Sequence, residues 1–141
     1  VRDIERAQGI TYATQQRKAV ELAAQRGVLI ITGGPGTGKT TILKGILSLY
    51  EQMGLKCVLA APTGRAAKRL TEVTGEEAGT IHRTLEAGID PNTGLMVFAR
   101  DEEQPLKADA VIVDKLVVVP FILAPMLLLT MVFLLLPKRK K

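Results

Sequence analysis

Soft metal ligands are scarce in this 141-residue sequence, which has one cysteine, Cys57, and one histidine, His82. A lone thiol excludes an internal disulfide and the cysteine-rich zinc patterns, and it suits a reducing cytoplasm. Nothing near Val1 combines a charged start, an apolar run and a cleavage site, so no secretory signal is visible. No internal repeat is visible either. A net excess of one charge also disappears on inspection. Lys138, Arg139, Lys140 and Lys141 hold four of the 19 basic residues, which leaves 15 against 14 acidic ones, or +1 rather than +5. Total charge therefore says little about partners, and nucleic-acid binding has to be argued from local motifs. The length suits one domain with a hydrophobic core and is too short for two of full size.

Strands and helices alternate in what is present. Residues 1–27 read as helical, with Thr14 as N-cap, Ala19, Val20, Ala23 and Ala24 as the apolar face, and Gly27 as the stop. Val28–Thr32 is a short β-branched run bounded by glycines, which predicts a buried strand. Ile42, Ile46 and Leu49 recur at helical spacing up to Gly54, and Cys57–Ala61 follows as a second strand. Gly64–Thr74 is a helix with Ala67, Leu70 and Val73 on one side and Arg65, Lys68, Arg69 and Glu72 on the other. Thr80 caps a further short helix. Pro91, Asn92, Gly94 and Pro105 make 87–107 irregular or a hairpin turning at Asn92–Gly94, and Ala110–Val113 is a third strand. The alternation predicts the α/β class: a parallel sheet over 28–114 with helices on both faces.

Between the first strand and the following helix lies Gly33-Gly34-Pro35-Gly36-Thr37-Gly38-Lys39-Thr40, a complete G-x-x-x-x-G-K-S/T phosphate-binding loop in the required context. Its glycines allow backbone N–H groups to turn toward a β-phosphate, and the helix adds its positive end. Lys39 would neutralise the β- and γ-phosphates, and the Thr40 hydroxyl would ligate Mg2+, so the expected cofactors are ATP and Mg2+. A second anchor for the metal is Asp114, which closes the apolar run Val111-Ile112-Val113. Many loops of this type place a glutamate next, to orient the attacking water. Lys115 stands there instead, and an ammonium group has no acceptor lone pair, so binding and hydrolysis have to be claimed separately.

Taken together, these residues resemble superfamily 1 DNA helicases of the RecD/TraA type. Gln16-Arg17-Lys18-Ala19-Val20 is similar to the family's Q motif, which implies that Gln16 reads the adenine edge. Ile31–Thr41 is similar to motif I, which adds Thr41 to the nucleotide-contacting residues. Ala60–Leu70 matches motif Ia, implying single-stranded DNA contact by Pro62, Thr63, Gly64 and Arg65, and Thr80–Leu85 matches a further DNA-side motif containing His82. A phosphate at Thr63 and the start of the following helix, with charge from Arg65, is physically reasonable. The resemblance spans about Ile10 to Asp114. It implies a RecA-like motor domain, ATP hydrolysis, cytoplasmic location and 5′ to 3′ helicase action in recombination or repair, with Lys39 and Asp114 as the catalytic pair.

The segment 115–141 departs from that pattern. Residues 116–136 form an uncharged run of 21, broken by Pro120 and Pro125 and followed by Pro137 and the basic end. Three explanations apply. A membrane anchor fits the length, since about 20 apolar residues span a bilayer. Buried core is harder to reconcile with the missing amphipathic period. A shifted reading frame would turn codons for Asp-Glu-Val-Ser into the Asp-Lys-Leu-Val seen at 114–117, leaving a truncated motor, and this is the favoured expectation.

Overall fold

The computed structural model describes residues 1–33, 38–114 and, for the backbone alone, 130–134. Gly34, Pro35, Gly36 and Thr37 of the phosphate loop lie outside the described residues, as do Lys115 and the rest of the tail, including Lys138–Lys141.

The N-terminal segment is two helices rather than one. α1 (Arg2–Gln8) ends on Gly9, whose left-handed backbone (φ 64°) closes the helix, and α2 covers Thr14–Gln25. Thr14 is the first residue of α2 and not its cap. Ala13 occupies the cap position, and the Gln16 side-chain Oε1 reaches back to accept its N–H at 3.0 Å, the half of a capping box that alanine permits. Val20 and Ala23 are buried as expected, whereas Ala24 is exposed.

β1 (Val28–Thr32) leads to α3 (Lys39–Gln52), β2 (Cys57–Ala61) and α4 (Gly64–Thr74). β3 (Ala78–Thr80), which the sequence did not announce, runs straight into α5 (Ile81–Thr84). A two-stranded hairpin, β4 (Ala87–Ile89) with β5 (Met96–Phe98), turns through Asn92–Gly94 as predicted. β6 (Ala110–Val113) returns to the main sheet. The sheet order is β1-β7-β6-β2-β3, where β7 is Thr130–Leu134. β2 is parallel to β3 and β6, in agreement with the expected parallel α/β sheet flanked by helices.

β7 departs from the sequence reading of the tail. It lies between β1 and β6 and runs antiparallel to both, pairing Val132 with Ile30 on one side and Val113 on the other. Part of the run 116–136 is thus sheet, filling the slot between the strand that enters the phosphate loop and the strand that ends at Asp114. A strand paired on both sides needs no amphipathic helical period, which removes the physical objection to this stretch lying in the domain. Among the described residues no helix is long and apolar enough to cross a membrane.

One core cluster joins Val20, Ile31, Leu43, Ile46, Leu59, Leu70 and Ile112, so α2, α3, α4 and three strands share it. Each fully buried aliphatic side chain there contributes about 1.5–3 kcal/mol. Tyr50 joins the cluster and satisfies its hydroxyl by donating to the Ala23 carbonyl at 3.0 Å. β1 is less buried than expected: Ile31 is covered, but Val28 and Ile30 are 59% and 58% exposed.

Candidate nucleotide site

Parallel strands bring their C-terminal ends to one edge, where an open α/β sheet binds ligands. Gly33 follows β1, Asp114 follows β6, Pro62 and Thr63 follow β2, and His82 follows β3 by one residue of α5. Register aligns Val113 with Ala60 and Ala61 with Thr80, so the residues expected to contact phosphate, metal and DNA share that edge.

On the nucleotide side, Lys39 is the first residue of α3 and its Nζ donates to the Gly33 carbonyl. Gly38 precedes it with φ 76°, a left-handed conformation that glycine adopts without penalty. Space imposes a second requirement here, because a methyl group on Gly38 would lie 2.2 Å from Gln16 Nε2. Gln16 therefore packs directly on the phosphate loop, although α2 precedes that loop by a whole strand. Gln16, Gly33 and Lys39 border one cavity of about 380 Å³ beside β1. The larger cavity, about 550 Å³, lies near the far end of α3 between Ser48, Cys57 and Thr74 and takes in none of these residues. Thr40 is exposed and Thr41 half-buried on the first turn of α3.

Asp114 is half-buried and anchored by its backbone N–H, which donates to the Ala60 carbonyl at 3.0 Å. Burial pushes its carboxyl above the usual range, while the positive charges of Lys39 and Arg69 oppose that shift. The structure thus brings Lys39 and Asp114 into one electrostatic neighbourhood. Arg69 was legible in the sequence only as part of a polar helix face, and its electrostatic influence on Asp114 appears only once β2, α4 and β6 are assembled. The Cys57 thiol is pushed up to about 12 by burial and by Glu76, which makes it a poor nucleophile or metal ligand.

On the other side of the edge, Thr63 is the N-cap of α4, its Oγ1 accepting the Ala66 N–H at 3.2 Å. Gly64 and Arg65 are exposed on the first turn and Pro62 is half-buried. Thr80 caps α5 in the same way, accepting from the Arg83 N–H at 3.1 Å. His82 is exposed on one side, and its ring lies 6.2 Å from that of Phe98 on the hairpin, so it also helps to seat β5.

A family model described as an AAA domain matches residues 16–134, a span that includes Gln16, the phosphate loop, Asp114 and β7. The chain belongs to the AAA domain family. Within it the chain is RecD-like. It is 42% identical over 101 residues to the ATP-dependent RecD2 DNA helicase of Deinococcus radiodurans, covering 72% of this chain and 13% of that protein. It is 37% identical over 124 residues to the RecBCD enzyme subunit RecD of Mycobacterium tuberculosis, covering 72% of this chain and 21% of the relative. The ATP-dependent DNA helicase dda of phage T4 is 47% identical over 64 residues, 45% of this chain and 14% of that protein. The chain thus spans between about an eighth and a fifth of the length of these relatives. The family implies use of a nucleotide and a divalent metal, and two of these three relatives are named as ATP-dependent DNA helicases.

Proposed function

We propose that this chain is the ATP-binding part of the first motor domain of a RecD-like 5′ to 3′ DNA helicase that acts in recombination or repair. The observation that carries the reading is the convergence of Gln16, Gly38, Lys39 and Asp114, drawn from α2, the phosphate loop and β6, at one end of the sheet. The residues fit Mg-ATP. Gly38 has no room for a side chain, Lys39 supplies a cation, and Thr40 with Asp114 supplies the hard oxygen ligands that Mg2+ prefers. Bound Mg2+ would offset charge developing on the phosphoryl oxygens. Lys39 holds the β- and γ-phosphates, Gln16 reads the adenine edge, and Thr63, Gly64, Arg65 and His82 contact single-stranded DNA beside Pro62.

The chain binds Mg-ATP without efficient hydrolysis, because Lys115 follows Asp114 where an acceptor for the water proton is needed. Fluorescent-ATP titration tests the binding. The wild-type chain should bind in a Mg2+-dependent manner, and Lys39→Ala should lose about 10- to 100-fold in affinity, the worth of a charge-assisted contact. Equal binding by both proteins refutes the site. ATP-driven strand separation by the isolated chain would overturn the claim that it binds without acting as a motor.

A further inference from the structure

The N-terminal helix α1 has no part in the phosphate-loop chemistry, yet it carries a buried charged side chain. Glu5 is 9% exposed. A buried carboxylate survives only if it is paired and hydrogen-bonded, and this one is: Oε1 accepts the Tyr12 backbone N–H at 2.8 Å, and both oxygens accept from Arg17 Nη2 at 2.8 Å. Tyr12 lies just before α2 and Arg17 in its first turn, so one carboxylate grips both sides of Ala13–Gln16. Within that bracket the Gln16 side chain is fixed at both ends, with Oε1 on the Ala13 N–H and Nε2 packed on Gly38. The grip is in turn fastened to α3. The Tyr12 hydroxyl donates to Gln8 Oε1 at 3.1 Å, and Gln8 Nε2 donates to Ser48 Oγ at 2.9 Å.

We propose that Glu5 is a positioning residue for base selection: its ion pair with Arg17 sets the start of α2 so that the Gln16 amide presents a fixed donor and acceptor edge beside the phosphate loop. This rests on Gln16 reading the base. Purine discrimination depends on that orientation, because the 6-position of adenine carries a donor and that of guanine an acceptor, and an amide free to turn over serves both. The phosphate contacts of Lys39 do not depend on the clamp. Glu5 therefore acts on the choice between ATP and GTP more than on phosphate affinity.

The test uses the full 141-residue chain and measures the affinities of fluorescent ATP and GTP. Glu5→Gln keeps the shape and removes the charge, and it should weaken ATP binding about 5- to 10-fold, one directed hydrogen bond, with GTP binding unchanged. Arg17→Lys keeps the charge but loses the two-oxygen grip, so it should shift the ratio in the same direction even if Glu5→Gln lowers the folded fraction. In a Gln16→Ala background Glu5→Gln should have no further effect on the ratio. Equal losses for ATP and GTP, no loss, or an effect that persists without Gln16 overturns the proposal. A wild-type ATP to GTP ratio that Gln16→Ala leaves unchanged instead refutes Gln16 as base reader, and the proposal with it.

Discussion

Gly45 lies in the middle of α3, where alanine would ordinarily be preferred by about 1 kcal/mol. The structure predicts the opposite sign. A methyl group there would lie 2.4 Å from the Tyr12 hydroxyl oxygen, 2.9 Å from Cζ and 3.1 Å from Val20 Cγ2. Neither neighbour can yield cheaply. Val20 is fully buried and Tyr12 is 4% exposed, held by its hydroxyl on Gln8 and its backbone N–H on Glu5. Forcing the ring aside costs about 1–3 kcal/mol of overpacking and about 1 kcal/mol for the hydrogen bond, against about 1 kcal/mol of helix propensity recovered. Gly45→Ala should therefore destabilise the chain by about 1–3 kcal/mol, lowering Tm by roughly 3–10 °C. Urea denaturation followed by far-UV circular dichroism reads this directly. Tyr12→Phe removes the atom in closest conflict, so the double variant should be less destabilised than the sum of the singles. A stabilised Gly45→Ala protein would show that α1 and Tyr12 do not press on α3, and the coupling of α1 to the nucleotide site would lose its footing.

Three further outcomes follow from the same geometry. Val132→Pro should cost about 1–3 kcal/mol in the same denaturation experiment, because a proline in a strand paired on both sides removes a ladder hydrogen bond and leaves its acceptor unsatisfied, and an unchanged midpoint would place 130–134 outside the sheet. Asp114 has a folded pKa raised above its ordinary value, so its protonation favours the fold at acid pH and that contribution is lost as pH rises through the folded pKa. Asp114→Asn should accordingly raise Tm at neutral pH while abolishing Mg2+-dependent nucleotide binding, and a lower Tm refutes the burial argument. Arg65→Ala should reduce the salt slope of single-stranded DNA binding by about one and weaken all sequences alike, as measured by fluorescence anisotropy, whereas an unchanged slope removes Arg65 from the DNA face.

Elements with strong local signals were legible in the sequence. α3 and α4 show apolar side chains at helical spacing, Gly54 and Gly75 both adopt the positive φ that ends a helix, and Thr63 and Thr80 cap as their chemistry suggests. What was not legible is non-local. The break between α1 and α2 depends on the buried Glu5 carboxylate, which pairs with a residue 12 positions away and looks like an ordinary surface glutamate in sequence. β3 is three residues of Ala, Gly and Thr, with no periodicity of its own, and it exists because β2 offers it a partner. β7 was hidden for a related reason. An unpatterned apolar run fits a bilayer, a buried helix or a strand equally, and only neighbours with open edges decide among them.

The candidate site divides in the same way. Gly38, Lys39 and Thr40 are contiguous and carry their chemistry in the motif, whereas Arg69 is assigned by folding alone. Arg65 and Arg69 are four residues apart on α4, and therefore on neighbouring turns of one face. Arg65 is exposed beside the cap residue Thr63, while Arg69 acts electrostatically on Asp114. A single 11-residue helix thus has one end at the surface read as DNA-contacting and carries, in its middle, a guanidinium within electrostatic reach of Asp114. α4 is seated on the sheet through Ala66, Ala67 and Leu70, which leaves Arg65, Lys68 and Arg69 exposed on its outer side, a division that the helical spacing shows but whose reach to Asp114 only the fold supplies.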